Sequence, residues 1–437
     1  MTSPRVNRRK FVAATTAASV AAVGAQVFPA AGAAKPKGTL ALHGGTPVRT
    51  AKSPRWPVWD PQHDEPPVLE ALRSGVWSRA KIVDEFERKY AALIGAPHCL
   101  ATTNGTMSLV TALHALEVGV GDEVLVGPYT FIASVNVAFA VGALPIFVDT
   151  DPDTFLINPD LLEAKITPNT RAILPVHING LPCHMARINA VAKKHNLRVV
   201  EDACQAWLPS INGQKCGTFG DLGCFSFQNS KCFTCGEGGA VVGSDQAVMD
   251  RAYSFHNFGA AHNEPAGTEG RSIRLGMKCR MAEYQAAILL AQMTRLEEQS
   301  LRRWENASYL TARIRQIPGI VPPRLNEGVT RVSCYVYPFR YQSELFGGVP
   351  RERFMRALRA EGVPCGAASE PLNREPFFEN VLNSRSFQRM YGKQRLDHCR
   401  QQNHCPANEK LCAESSASAR TCSWAPGRTR TRTPTPC

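Results

Sequence analysis

Short apolar runs, each bounded by Gly, Pro or Asp and spaced by stretches of helical periodicity, restrict this chain more than any other feature. DEVLVGP, ALPIFVDTD, AILPVHING, LRVVEDA, CFSF and GAVVGSD read as strands buried on both faces. TFIASVNVAFAVGA and MARINAVAKKHN lie between them, and VDEFERKYAALIG and GTMSLVTALHALEVGVG precede them, the last two ending in glycine. Buried strands alternating with helices predict an α/β domain whose central sheet is mostly parallel and flanked by helices. No G-x-G-x-x-G follows the first strand, which argues against a dinucleotide site. A long helical pattern, MAEYQAAILLAQMTRLEEQSLRRWENASYLTARIRQI, leads into the Pro-rich PGIVPPR; CYVYPFRYQ and RERFMRALRAEGV then predict a smaller α/β unit. The expected division is a large domain over 35–300, a small C-terminal domain over 301–414, and a disordered tail over 415–437 rich in Ser, Thr, Arg and Pro.

The first 34 residues carry Arg8 and Arg9, a mild Ala/Val stretch and the small-residue site Ala31-Gly32-Ala33, the pattern of a twin-arginine export signal. Such signals carry folded proteins, so the expected destination is the periplasm or cell envelope, or the cytoplasm if the signal is not used. No later segment is long and apolar enough to predict a membrane span. The net charge of +13 raises the question of nucleic acid, but its placement answers it. Six unopposed cations lie within 1–37 and four within 415–437, leaving a nearly balanced middle without a basic run interleaved with aromatics. Nucleic acid is therefore not an expected partner. The 15 cysteines are odd in number and irregular in spacing, which predicts reduced thiols. Cys232 and Cys235 have the C-x-x-C spacing of redox and zinc sites, yet no second pair completes a zinc cage, so the favoured reading is small filler in a tight turn and no metal is expected.

The chemistry concentrates in residues 201–239. VVEDA delivers Asp202 and Gln205 at a strand end, where open α/β sheets bind ligands, and a later strand delivers Ser226 and Lys231. Taken singly, each has an ordinary structural reading. Together they fit one ligand: a lysine in a glycine-rich turn, once desolvated, can form a Schiff base with an aldehyde. Pyridoxal phosphate is such an aldehyde, and its pyridine nitrogen needs a carboxylate, a task for which the chain order suits Asp202. Its phosphate needs donors, and TTNGTMSL places Gly105 and Thr106 at a helix N-terminus, although NGT also reads as a plain capping turn.

These segments resemble the DegT/DnrJ/EryC1/StrS group of pyridoxal-phosphate aminotransferases, of the aspartate aminotransferase fold (fold type I). The likeness runs from ALHGGTPVR to CPANEKL through NGT, GDEV, Tyr129-Thr130-Phe131, PVHINGLP, EDACQA, FSFQNSK and GEGG. It implies pyridoxal 5'-phosphate as cofactor, Lys231 as the Schiff-base lysine, Asp202 as pyridinium partner and Gln205 near the phenolic oxygen. It also implies that Ser226, Gly105 and Thr106 hold the phosphate and that Phe131 stacks on the ring. RLGMKCRMAEYQAA resembles the family loop that reaches a neighbour's phosphate, which assigns Lys278 and Arg280 as cofactor contacts and implies a homodimer with shared sites. The activity implied is transfer of an amino group from L-glutamate or L-glutamine to a nucleotide-linked keto sugar or a carbocyclic ketone. WPVWD, SGVWSR and FSFQN also resemble the 3-amino-5-hydroxybenzoate synthase branch. Alternatives are a related dehydratase, which Lys231 argues against, and an exported cofactor-free scaffold of the same fold. The tail after CPANEKL stands where the family has an apolar strand and a closing helix, so both are expected to be missing.

Overall fold

The computed structural model describes residues 38–52, 55–264, 268 and 270–418. The export-signal reading of 1–34 and the tail beyond Ser418 lie outside the described residues.

Seven strands make the central sheet: β1 (His98–Thr102), β2 (Glu123–Val126), β3 (Leu144–Phe147), β4 (Thr170–Leu174), β5 (Arg198–Asp202), β6 (Leu222–Ser226) and β7 (Gly239–Gly243). Their order is β1-β7-β6-β5-β4-β2-β3. The block from β6 to β3 is parallel, and β7 runs antiparallel to both its neighbours, β1 and β6. Because β7 is reversed, Gly239 at its start faces both Thr102 at the end of β1 and Ser226 at the end of β6. Three strand termini therefore meet at one end of the sheet. Asp202 lies beside them, paired with Cys224 one strand further on.

Helices cover both faces. They include α1 (Pro61–Arg73), α2 (Lys81–Ile94), α3 (Gly105–Ala115), α4 (Ala133–Ala140), α5 (Met185–His195), α6 (Gln246–His256) and the long α7 (Glu283–Ile314). In α2, Val83, Phe86, Tyr90 and Ile94 recur at three- to four-residue spacing and are all buried, and Gly95 closes the helix in the left-handed region. The start of α2 is capped from a distance: the buried Glu283 carboxylate accepts from Ala80 N (2.6 Å), Ile82 N (2.9 Å) and Val83 N (3.0 Å). A bidentate pair, Arg295 to buried Asp64 at 2.7 Å on both arms, ties α7 to α1.

A four-stranded antiparallel sheet forms the second unit: β8 (Ile320–Val321), β9 (Tyr337–Tyr341), β10 (Cys365–Ala367) and β11 (Ser415–Ser418), in the order β8-β9-β11-β10. Helix α8 (Arg351–Ala360) belongs here, followed by α9 (Pro376–Leu382), α10 (Arg385–Met390), α11 (Lys393–Gln402) and α12 (Pro406–Glu414). The structure corrects the tail, because Ser415–Ser418 is not disordered. It is an inner strand, paired with Tyr337–Arg340 on one side and Cys365–Ala367 on the other. Two-sided backbone pairing needs no apolar period, and small side chains suit a position where Tyr129 Oη donates to Ser415 Oγ (3.1 Å) and Arg351 Nη1 to Ser415 O (2.8 Å). A strand that was expected to be missing after CPANEKL is therefore present, built from three serines and Ala417.

The boundary near 300 falls inside α7, a single helix. The segment before α1 also crosses over: Glu361, just after α8, accepts from Ala41 N (2.8 Å) and Val48 N (3.0 Å). Residues 41–49 are thus tied to the small unit. The two units share one hydrophobic core, in which Phe378 packs on Phe147 (5.5 Å) and Phe387 on Phe139 (5.3 Å). The 13 cysteines among the described residues are free, and Cys232 and Cys235 are buried in their turn.

Ending the chain at Glu414 removes an inner strand, and we expect this to lower the melting temperature by about 5 °C or more, measured by calorimetry. A second prediction concerns Glu87 in α2, which accepts from Ala101 N (2.8 Å) and Arg79 Nη2 (2.6 Å). Burial, outweighing the opposing pull of Arg79, pushes its carboxyl up to about 7. A raised acid holds its proton in the folded chain where the unfolded chain has released it. Its contribution is complete below about 4.5 and is lost as pH rises through about 7. Urea unfolding from pH 5 to pH 8 should accordingly show a smaller loss of stability in Glu87→Gln than in the wild type.

Candidate active site

The site begins where α3 leaves β1. Asn104 caps the helix, its Oδ1 accepting from Met107 N at 2.9 Å, so the N–H groups of Gly105 and Thr106 have no acceptor within the helix. Gly105 is pressed against the end of β6. A Cβ at that position would stand 2.6 Å from Ser226 Cβ and 2.8 Å from Cys204 Sγ. Gly239 has the same restriction from the other side, since a Cβ there would meet Asn104 O and Ser108 Oγ at 2.5 Å. Two glycines thus let a helix start, bearing free donors, sit directly on the sheet end beside the Ser226 hydroxyl.

Asp202 closes β5 and is 4% exposed. Its Oδ1 accepts from Cys204 N (3.0 Å) and its Oδ2 from Ser134 Oγ (2.7 Å), and Ser134 in turn meets Thr130 Oγ1 at 2.9 Å. Both partners are neutral, so the carboxylate is oriented without a cation on it. Cys204 registers the charges around it: burial first, and Asp202 next, push its thiol well above the ordinary range, while Lys231 acts in the opposite sense. Asp202 and Lys231 therefore both lie in the neighbourhood of this sulfur.

The neighbouring Glu201 points to the opposite face of the sheet and is wholly buried. It accepts from Gly217 N (2.8 Å), Phe219 N (2.6 Å), Gly220 N (2.7 Å) and His177 Nε2 (2.9 Å). Because His177 Nδ1 accepts from Cys183 N at 3.0 Å, the ring proton is on Nε2 and the imidazole is neutral. His177 N also donates to Asp202 O at 3.0 Å, so this network fixes the strand end that carries Asp202.

Lys231 follows a tight turn in which its N–H donates to Gln228 O at 2.7 Å, and Trp56 Nε1 donates to its carbonyl at 3.0 Å. The side chain runs to Tyr335, with Nζ 4.8 Å from the ring centroid. Gln205 Oε1 accepts from Asn179 N at 2.9 Å. An open cleft of about 690 Å³ is bordered by Thr130, Phe131, Asn179, Gln205 and Tyr335 on the large-sheet side and by Arg359 and Glu370 on the other. Phe131 is 62% exposed here, an aromatic ring presented to the cleft and not a core residue.

The structure therefore brings Gly105, Thr106, Phe131, Asp202, Gln205, Ser226 and Lys231 to one end of the sheet. Lys278 is not among them: it is exposed and bridges Asn257. Arg280 bridges Thr102, near the α3 turn, with its Nε buried and unpartnered. Sequence reasoning missed Ser134, Tyr335, Asn179 and Trp56. Ser134 had a signal, since in a helix it lies one turn beyond Thr130 and Phe131; the others reach the site only through long-range packing.

Replacing Gly105 by Ala should cost about 1–3 kcal/mol of stability, because the new methyl group meets Ser226 and Cys204. A shift of the urea midpoint measures it, and Thr106→Ala, at the exposed next position, is the comparison.

With this geometry in place, comparison with known proteins is informative. The profile of the DegT/DnrJ/EryC1/StrS aminotransferase family matches residues 61–401. An L-glutamine:2-deoxy-scyllo-inosose aminotransferase of Streptoalloteichus tenebrarius is 34% identical over 388 residues, covering 85% of this chain and 90% of the relative. One of Streptomyces kanamyceticus is 35% identical over 364 residues, covering 79% and 84%. The crystal structure of 3-amino-5-hydroxybenzoic acid synthase superposes with a TM-score of 0.75 at 30% identity, over 86% of this chain and 94% of that one.

Proposed function

Because the chain belongs to the DegT/DnrJ/EryC1/StrS aminotransferase family, we propose that it moves an amino group from L-glutamine, or L-glutamate, to the ketone of a carbocyclic polyol, using pyridoxal 5'-phosphate. The observation that carries this reading is the meeting, at one sheet end, of a lysine, a buried carboxylate with only neutral partners and a helix start bearing free donors. The fit to the cofactor is chemical. A buried carboxylate without a cation suits a protonated pyridine nitrogen, and free N–H groups beside a hydroxyl suit a phosphate.

When bound, the cofactor supplies an aldehyde that accepts and passes on the amino group, and a ring that withdraws electrons from the reacting carbon. Gly105, Thr106 and Ser226 would hold its phosphate. Asp202, oriented by Ser134 and the Cys204 N–H, would keep a proton on the ring nitrogen. Gln205 would lie at the phenolic oxygen, and Phe131 would cover the ring and exclude water. Lys231 is the amine for the aldehyde at rest; when free, it takes the proton from the donor carbon and returns it to the other reacting centre as general base and then acid.

The relatives named for inosose substrates support a carbocyclic acceptor, and so does the charge of the cleft. A nucleoside diphosphate brings at least two negative charges, whereas the described cleft lining offers one cation, Arg359, balanced by Glu370. A homodimer with shared sites is part of the proposal. Its support is an apolar patch of Phe258, Ile273, Leu275 (74% exposed) and Met277 on the ribbon that carries Lys278 and leads to Arg280. Export in folded form is proposed on the Arg8-Arg9 leader.

The test follows the visible absorbance of the purified chain with pyridoxal phosphate. L-Glutamine should change the spectrum, and 2-deoxy-scyllo-inosose or scyllo-inosose should restore it. Lys231→Ala should lower turnover about a thousandfold or more, and Asp202→Asn about a hundredfold. A spectrum that L-glutamine and L-glutamate both leave unchanged would sink the proposal.

A further inference from the structure

We propose that Tyr335 is a positioning residue for Lys231, its ring face holding the lysine ammonium beside the site between proton transfers. The inference rests on the reading of Lys231 as the reacting amine and adds a residue from beyond α7 to that chemistry.

Both partners are fixed everywhere except along the lysine side chain. Lys231 has its N–H on Gln228 O (2.7 Å) and its carbonyl on Trp56 Nε1 (3.0 Å), and the loop around it is closed by Asn229 N to Gly236 O (2.7 Å). Tyr335 is held as firmly. Its hydroxyl meets Ser230 Oγ at 3.1 Å, its N–H donates to Asn179 O at 3.1 Å, and Trp207 packs edge-on at 6.0 Å between centroids. The preceding Ser333 donates through N to Gly180 O (3.2 Å) and through Oγ to Gln205 O (3.1 Å). The ring is thereby anchored to the turn that carries Lys231 and, through Ser333, to Gln205, which borders the cleft. The 4.8 Å approach of Nζ to the ring centroid then leaves only the torsions of one side chain free.

The chemistry of the contact is selective. An aromatic face attracts the ammonium and has no comparable attraction for a neutral amine. A general base that must accept a proton at one carbon and deliver it at another needs a resting place while charged, yet one weak enough to leave. A carboxylate at the same distance would bind the ammonium far more tightly. The π face meets both needs, and the hydroxyl bond to Ser230, the residue before Lys231, keeps the ring in register with the lysine.

The test compares wild type, Tyr335→Leu and Tyr335→Phe, each as the full chain freed of cofactor, by reductive methylation with formaldehyde and cyanoborohydride at pH 7. Peptide mass spectrometry reads Lys231 against the exposed Lys89. Loss of the ring should raise Lys231 labelling about fivefold, whereas Tyr335→Phe should stay within twofold of wild type. Should Tyr335→Leu fail to fold by circular dichroism, Tyr335→Met takes its place. Unchanged labelling without the ring overturns the proposal, and so does an equal rise in Tyr335→Phe, which would assign the effect to the Ser230 bond. In the loaded enzyme, Tyr335→Leu should lower kcat about fivefold with KM for L-glutamine within twofold; a rise in KM alone overturns the proposal. A wild type without amino transfer would overturn the function proposed above, while the labelling, which needs no cofactor, still decides the contact.

Discussion

The buried carboxylate of Glu201 holds the working end of this fold together. Four donors converge on it from two connections, His177 after β4 and the Gly217–Gly220 loop that leads into β6. A charge so deep in a sheet is tolerated only when its lone pairs are filled, and here neutral donors fill them. Because successive residues of a strand face opposite sides, fixing Glu201 on one face also fixes Asp202 on the other. The histidine whose ring donates to Glu201, His177, also contributes its backbone N–H to the Asp202 carbonyl. Structural and functional carboxylates are thus adjacent in sequence and opposite in role.

Around that anchor, the reversed strand β7 decides what meets what. If β7 ran parallel, Gly239 would lie at the far end of the sheet, and neither the α3 start nor Ser226 would find its narrow neighbour there. The antiparallel register places Gly239 between Thr102 and Ser226, and lack of side chains at Gly105 and Gly239 lets the helix start settle onto the sheet. The second unit then closes the cleft from the other side. Its inner strand, Ser415–Ser418, borders that cleft through Ala417 and Ser418, and its helices share a core with β3. A segment of small polar residues is therefore structural because its backbone is paired on both sides.

Much of the fold was legible because its signals are local. Six of the seven central strands, the long α7 and the β9 and α8 pair stand where periodicity and glycine stops put them. The strand β1 was overlooked because HCLAT is not a continuous apolar run bounded by Gly, Pro or Asp, and α1 because its prolines, Pro66 and Pro67, argue against a helix. The boundary near 300 falls inside α7 because composition changes only near Pro318, where the helix has already ended. The first four residues of the tail, Ser415–Ser418, were misread because composition says nothing about backbone pairing, which depends on β9 and β10, both far away in the chain.

The candidate site divides in the same way. Lys231, Asp202, Gln205, Ser226, Gly105, Thr106 and Phe131 could be named from sequence, because strand ends and a helix start are local features and the chemistry of a lysine, an acid and free N–H donors is intrinsic to those groups. Their convergence, the neutral surroundings of Asp202, the exposure of Phe131 and the placing of Tyr335 over Lys231 were decided only by the tertiary structure. These depend largely on contacts between residues far apart in the chain, 68 positions for Ser134 and Asp202 and more than a hundred for Lys231 and Tyr335. No local pattern encodes such contacts, since they are fixed only when the sheet order, the reversed β7 and the closing second unit have packed together.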